Sequence, residues 1–87
     1  MRVAVTEIGW DGTIRRRMLD TWYLADPRRW DHIIGQLLTV PPAYQATPGR
    51  PVYIIHTSDR AVLIGEEDLT GPPRDLVVTV LATGDPA

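Results

Sequence analysis

The 87-residue chain contains no cysteine and no lysine, and all nine of its basic residues are arginines. Without cysteine it has no disulfide, no thiolate nucleophile and no thiolate metal site. Without lysine it has no amine for Schiff-base chemistry. Its two histidines, His32 and His56, are far apart in the sequence, and no carboxylate neighbours both at metal-ligand spacing. We therefore expect no catalytic activity, no cofactor and no metal ion.

Long apolar runs and a strong net charge are also missing. No apolar stretch is long enough to span a bilayer, and the N-terminal residues have no continuous apolar region of the signal-peptide type. These features predict a cytoplasmic protein that has no membrane partner. The net charge is only −2, and strand alternation separates Arg16 from Arg15 and Arg17, so we expect no nucleic-acid binding. The length fits a single domain, residues 1–87.

The clearest periodic pattern covers residues 26–40. Five large apolar residues recur at helical spacing, namely Trp30, Ile33, Ile34, Leu37 and Leu38. Asp26 is suited to cap the N-terminus through its carboxylate, and Pro27 suits the first helical position. Pro41 and Pro42 disfavour continuation beyond residue 40. The pattern predicts an amphipathic helix whose apolar stripe faces the core.

The first part of the chain reads as a β-hairpin. Residues 2–10 and 13–21 have strand character, and the Asp11-Gly12 dipeptide between them accepts the positive φ angles of a type I′ turn. We prefer this two-residue turn to a four-residue loop over residues 9–12, because the longer loop would pair apolar residues with charged ones.

The two-residue turn fixes the register by pairing Trp10 with Thr13. One face of the hairpin then carries four apolar residues, Val3, Val5, Ile14 and Met18, and we expect this to be the core face. Glu7 lies opposite Arg16 on the same face. Trp10 stands beside the turn, where it either folds back onto its own hairpin or acts as an exposed anchor in a binding interface.

A second hairpin is predicted at residues 52–56 and 61–64. Apolar residues occur on both of its faces, so these strands are either central or present an apolar surface to a partner. The short apolar connection at residues 22–25 brings aromatic side chains that we expect to close one end of the core. Residues 76–82 have β-branched side chains that favour a strand, yet their apolar spacing and their flanks favour a helix. The predicted fold class is α+β, with a four-stranded, mainly antiparallel sheet of two hairpins packed with two helices.

The order of these elements, with two sequence blocks, resembles the emfourin family. The blocks run from Gly9 to Arg17 and from Val62 through Leu69 to Pro73. The similarity covers nearly the whole chain, which on this basis is one emfourin-like domain. The first tip of the family is richer in glycine, whereas Trp10 follows Gly9 here.

Emfourin is a small proteinaceous inhibitor of protealysin, so the resemblance implies an inhibitor of a thermolysin-like, protealysin-type zinc metalloprotease. Such a protein blocks the active-site cleft of its target with a surface loop and brings no metal of its own. In this chain the expected protease-binding residues are those of the first hairpin tip, Gly9, Trp10, Asp11 and Gly12. The alternative is a non-catalytic interaction or assembly subunit that uses the apolar second hairpin, including to form a homodimer.

Overall fold

In the computed structural model, two helices pack on one face of an antiparallel sheet. The structure describes residues 1–39, 49–58 and 60–86, and for residues 38 and 39 it describes only the backbone. The strands are β1 (Arg2–Ile8), β2 (Ile14–Asp20), β3 (Val52–His56), β4 (Ala61–Gly65) and β5 (Asp85–Pro86). The helices are α1 (Pro27–Thr39) and α2 (Pro72–Thr83), and short 3-10 turns occupy Thr21–Tyr23 and Glu66–Asp68. The strand order is β4-β3-β1-β2-β5. The predicted α+β class and the two predicted helices are confirmed.

Helix α1 presents the predicted apolar stripe to the core. Ile33, Ile34 and Leu37 are buried, and Trp30 packs half-buried against them. The side chain of Leu38 and all of Val40, which the sequence also assigned to this helix, lie outside the described residues.

Helix α2 confirms the helical interpretation of residues 76–82. Four side chains at helical spacing are buried, namely Leu76, Val77, Val80 and Leu81. Because burying this stripe against the sheet is worth more than the small β-propensity of its valines, the helix is favoured over a strand. None of the helices in the described ranges is long and apolar enough to cross a membrane.

The sheet of the described residues has five strands, so the predicted count of four is wrong. The additional strand, β5, is a two-residue segment that pairs antiparallel with β2, Asp85 opposite Met18. Gly84 allows this close return, because a Cβ at this position would lie 2.5 Å from the Val80 carbonyl oxygen and 3.0 Å from that of Met18. The sequence marks Gly84 only as a helix stop, and it does not show that the chain then turns back onto the sheet.

The predicted register of the first hairpin is wrong by one residue. Ile8 pairs with Ile14 and Glu7 pairs with Arg15, so the loop is one residue longer than the predicted two-residue turn. Since successive strand residues point to opposite faces, this shift moves Ile14 and Met18 away from the core face. Their places beside Val3 and Val5 are taken by three other residues of β2, Leu19, Arg17 and Arg15.

The second hairpin has the predicted strands and the predicted division of its faces. Ile55 pairs with Val62 and Tyr53 with Ile64 on the face that the helices cover. The opposite face, which we call the open face, carries the remaining large apolar residues of the sheet, Ile8, Ile14, Met18, Val52, Ile54 and Leu63. The open face therefore carries apolar residues on four strands, together with Thr6, Arg16 and His56.

The aromatic side chains at residues 22 and 23 do not close the core, contrary to the sequence-based expectation. Trp22 is 76% exposed and Tyr23 is 86% exposed. The Asp20 carboxylate accepts the Trp22 N–H at 3.0 Å and caps the 3-10 turn that directs both rings outward. Thr21 is buried at this end of the core instead, and its hydroxyl donates to Asp31 of α1 at 2.5 Å.

Candidate functional site

The tip of the first hairpin is a closed β-turn that occupies residues 9–12. The Gly12 N–H donates to the Gly9 carbonyl oxygen at 3.0 Å, and the Gly9 N–H donates to the Thr13 carbonyl oxygen at 2.8 Å. Gly12 has a φ of +86°, whereas Trp10 and Asp11 are not among the positive-φ residues. This is a three-residue hairpin loop with a glycine bulge rather than the predicted type I′ turn, in which both central residues need positive φ.

Glycine is favoured at both positions of the tip, for different reasons. A Cβ on Gly9 would lie 2.6 Å from the Thr13 hydroxyl oxygen and 2.8 Å from Asp11 Oδ1. Gly12 has open space around it but adopts the left-handed conformation that L side chains disfavour. The register shift follows from Gly12, since a bulge at this position adds the residue that a two-residue turn lacks.

Asp11 stabilises the tip through its carboxylate. Asp11 Oδ1 accepts the Thr13 hydroxyl at 2.7 Å and the Thr13 backbone N–H at 3.1 Å. These hydrogen bonds, with that of the hydroxyl the larger cause, hold the pKa of Asp11 below its ordinary value. The tip therefore presents a carboxylate that stays ionised at neutral pH and whose position is fixed by a neighbour.

Trp10 is exposed at the apex of this turn. Its exposed fraction is 74%, and that of Ile14, the first residue of β2, is 71%. Ile14 pairs with Ile8, which in turn pairs with Val52 on β3, so an apolar row on the open face leads toward the tip. Of the two sequence-based interpretations of Trp10, the exposed anchor fits this arrangement and the folded-back side chain does not.

Directly behind the tip, an arginine side chain connects the first hairpin to α2. Arg15 donates from its guanidinium to the carbonyl oxygen of Leu81 at 2.6 Å, near the C-terminal end of α2, where the helix dipole favours a cation. Glu7 lies between Arg15 and Tyr53 as the cross-strand neighbour of both. The sequence pointed to Glu7 but paired it with Arg16, and it contained no signal for the contact of Arg15 with α2.

The phenol of Tyr53 lies on the strand next to Glu7. Burial of the phenol and then the charge of Glu7 raise the pKa of Tyr53 to about 12. Since the neutral phenol is favoured in the folded protein, its contribution to stability is present below the ordinary tyrosine pKa of about 10 and is lost as the pH rises toward 12.

An alkaline titration followed by tyrosinate absorbance should therefore show a late component near pH 12. Tyr53→Phe is expected to remove this component, and Tyr23→Phe, at an exposed position, is expected to leave it in place. A titration of the Tyr53→Phe protein that keeps the late component would contradict the assignment.

We expect Gly12→Ala to destabilise the protein by about 1 kcal/mol, because alanine is strained in the left-handed conformation. Gly35→Ala is the matched control, since Gly35 lies exposed inside α1 with open space around it and alanine favours the helix. Denaturant unfolding of the two variants measures the difference. Equal stability of Gly12→Ala and the wild type would show that the turn differs from the one described.

The histidines lie in separate parts of the structure, His32 on the exposed side of α1 and His56 on β3. Burial and then the charge of Arg16 lower the pKa of His56. Within residues 1–39, 49–58 and 60–86, no three histidine, aspartate or glutamate side chains are grouped so as to hold a metal ion.

The structure brings together the four residues that the sequence assigned to protease binding, Gly9, Trp10, Asp11 and Gly12, in a single turn. Three neighbours that complete the site were not among them, namely Thr13, Ile14 and Arg15. Comparison of the chain with protein-family models, with curated proteins and with solved structures found no match.

Proposed function

We propose that the protein is a proteinaceous inhibitor of a thermolysin-like zinc metalloprotease and that it blocks the active-site cleft with the tip of its first hairpin. The observation that carries the proposal is a tryptophan with 74% of its surface exposed at the apex of a closed turn. Tryptophan is strongly enriched among the residues that dominate protein interfaces, and this one is held at the apex of a closed turn where a partner can reach it.

The rigidity of the tip favours binding. The turn is closed by backbone hydrogen bonds and by the pair of contacts between Asp11 and Thr13, and Arg15 holds the strand directly behind the tip against α2. A preorganised loop avoids the entropy that a flexible peptide loses on binding. Trp10 would enter the hydrophobic specificity pocket, where thermolysin-like enzymes favour bulky apolar groups.

Asp11 supplies the group that would face the catalytic zinc of the target. Its Oδ1 is occupied by Thr13, which leaves Oδ2 to approach a cation, and its lowered pKa keeps the carboxylate charged. A carboxylate oxygen is an ordinary zinc ligand. In this arrangement the metal belongs to the protease, and the inhibitor contributes neither a cofactor nor a catalytic group.

The shape of the tip also opposes cleavage. Proteases bind their substrates in an extended conformation, whereas the chain between Gly9 and Thr13 is folded back on itself by hydrogen bonds of 2.8 and 3.0 Å. Opening the turn into an extended segment would break these bonds and those to Asp11. The protein would therefore occupy the cleft without being processed.

The decisive experiment titrates the purified chain against a panel of thermolysin-like proteases that includes protealysin-type enzymes. We expect stoichiometric inhibition of at least one member, competition with a small zinc-binding active-site inhibitor, and no relief by added zinc, which separates cleft blocking from metal removal. Failure to inhibit any member at about 10 µM inhibitor, a concentration that corresponds to a binding free energy of only about −7 kcal/mol, would reject the proposal.

The second candidate function is that of a non-catalytic interaction subunit, and the apolar open face favours it. Val52, Ile54 and Leu63 lie on this face in the second hairpin and are only partly buried. Binding to a partner that survives mutation of the tip but is lost when Ile54 is changed to aspartate would support this function over inhibition.

A further inference from the structure

The two edges of the sheet differ in a way that points to self-association. On the β2 side the sheet ends in β5, a two-residue strand made of an aspartate and a proline. Short strands, charges and prolines are the features that protect a sheet edge from further pairing. The opposite edge is β4, five residues long and without a charged residue or a proline. Among the described residues no strand pairs with the outer side of β4.

The hydrogen-bonding pattern of the second hairpin shows which groups face outward on β4. The Thr57 N–H donates to the Arg60 carbonyl oxygen, and the Glu66 N–H donates to the Pro51 carbonyl oxygen. Even-numbered residues from 60 to 66 therefore direct their backbone groups toward β3. Because these groups alternate along an antiparallel strand, Ala61, Leu63 and Gly65 direct theirs away from the sheet.

We propose that two copies of the chain associate through their β4 strands, antiparallel about a two-fold axis at Leu63, and form a continuous ten-stranded sheet. This register pairs Leu63 with its own copy and Ala61 with Gly65 of the second copy. All three outward-facing residues then form hydrogen-bonded pairs, about six bonds in total. A shift of two residues in either direction leaves part of these groups unpaired.

The side chains are complementary in the same register. Val62 lies opposite Ile64 of the second copy, an apolar pair beside the core. Arg60 lies opposite Glu66 of the second copy, and the acidic residues Glu67 and Asp68 follow. The two-fold axis creates each of these contacts twice. An arginine at one end of the strand and an acidic run at the other thus make β4 complementary to a second copy of itself.

Charge reversal tests the register. Arg60→Glu places two carboxylates opposite each other at both ends of the interface, and Glu66→Arg places two guanidinium groups opposite each other there. We expect each variant alone to raise the dimer dissociation constant about tenfold or more, as measured by sedimentation equilibrium. Arg28→Glu makes the same charge change as Arg60→Glu at an exposed position of α1 and should leave the wild-type constant unchanged.

Mixing the two interface variants separates the proposed contact from other effects of the substitutions. Glu66 also contacts Arg50 of its own chain at 3.1 Å, so the Glu66→Arg variant loses that ion pair as well. In a heterodimer of the two variants, opposite charges face each other at both ends of the interface. One end carries the two substituted side chains, which attract each other, and the other end carries the two native ones. The mixture should therefore form a heterodimer at least as tight as the wild-type dimer.

A cysteine at the axis provides an independent test, because the chain has no cysteine of its own. In the proposed register the two Leu63 Cα atoms lie about 5.5 Å apart, within disulfide range. Leu63→Cys should cross-link rapidly under mild oxidation, and Ser58→Cys, in the turn of the same hairpin, should not. A wild-type protein that is monomeric at about 0.5 mM, or a mixture of charge variants that does not associate, would overturn the proposal. Either result leaves inhibition by the tip unaffected, so the two proposals fail separately.

Discussion

Replacing Trp10 with alanine is expected to weaken inhibition of the target protease by about 2 kcal/mol or more, a loss of about 30-fold in affinity. The physical reason is that Trp10 is the largest apolar surface at the apex, with 74% of its area available for burial in a pocket. Because the side chain makes little contact with its own domain, the free energy of unfolding should hardly change. Inhibition constants and thermal unfolding of the same preparation measure both quantities.

Trp22 offers the matched control for this variant. It is 76% exposed, but it lies beyond the other end of β2, roughly 20 Å of strand away from the tip. Trp22→Ala should therefore leave inhibition unchanged. If Trp22→Ala weakens inhibition and Trp10→Ala does not, the binding surface lies at the end of the molecule that carries Trp22 and Tyr23. The groove of about 450 Å³ between Met18, Tyr23, Leu24 and Thr83 then becomes the next candidate site.

A change in the centre of the core should have the largest effect on stability. Ile34 is fully buried where α1 packs against the sheet and α2. Ile34→Ala removes three methyl or methylene groups from a packed site and should lower the free energy of unfolding by about 2 to 5 kcal/mol.

Val78→Ala is the control for the core variant, because Val78 is 56% exposed on α2 and alanine is the better helix former. Its effect should be smaller than about 0.5 kcal/mol. Denaturant unfolding of both proteins at constant m-value compares them directly. Similar small losses for the two variants would mean that the stripe of α1 does not face the core.

The position of the tip was predicted correctly, and its turn type was predicted wrongly. The sequence identified residues 9–12 as the tip, yet it assigned Asp11 and Gly12 to a type I′ turn. In the structure Asp11 bonds to Thr13 and only Gly12 takes positive φ. Both turns suit an Asp-Gly dipeptide, so residue preference alone does not separate them. The difference of one residue reverses the faces of β2 and places Ile14 on the open face rather than in the core.

The elements with local, repeated signals could be predicted from the amino-acid sequence: α1 from its apolar stripe, α2 from its spacing and its flanks, and the second hairpin from two short apolar runs on either side of a turn. Periodicity is sufficient there because every turn of a helix or step of a strand repeats the same preference. The tertiary structure alone decided the register of the first hairpin, the strand at Asp85–Pro86, the outward orientation of Trp22 and the contact of Arg15 with Leu81. Each of these depends on a contact between residues distant in the chain or on one hydrogen bond in a turn, and a preference that occurs once leaves no periodic trace in the sequence.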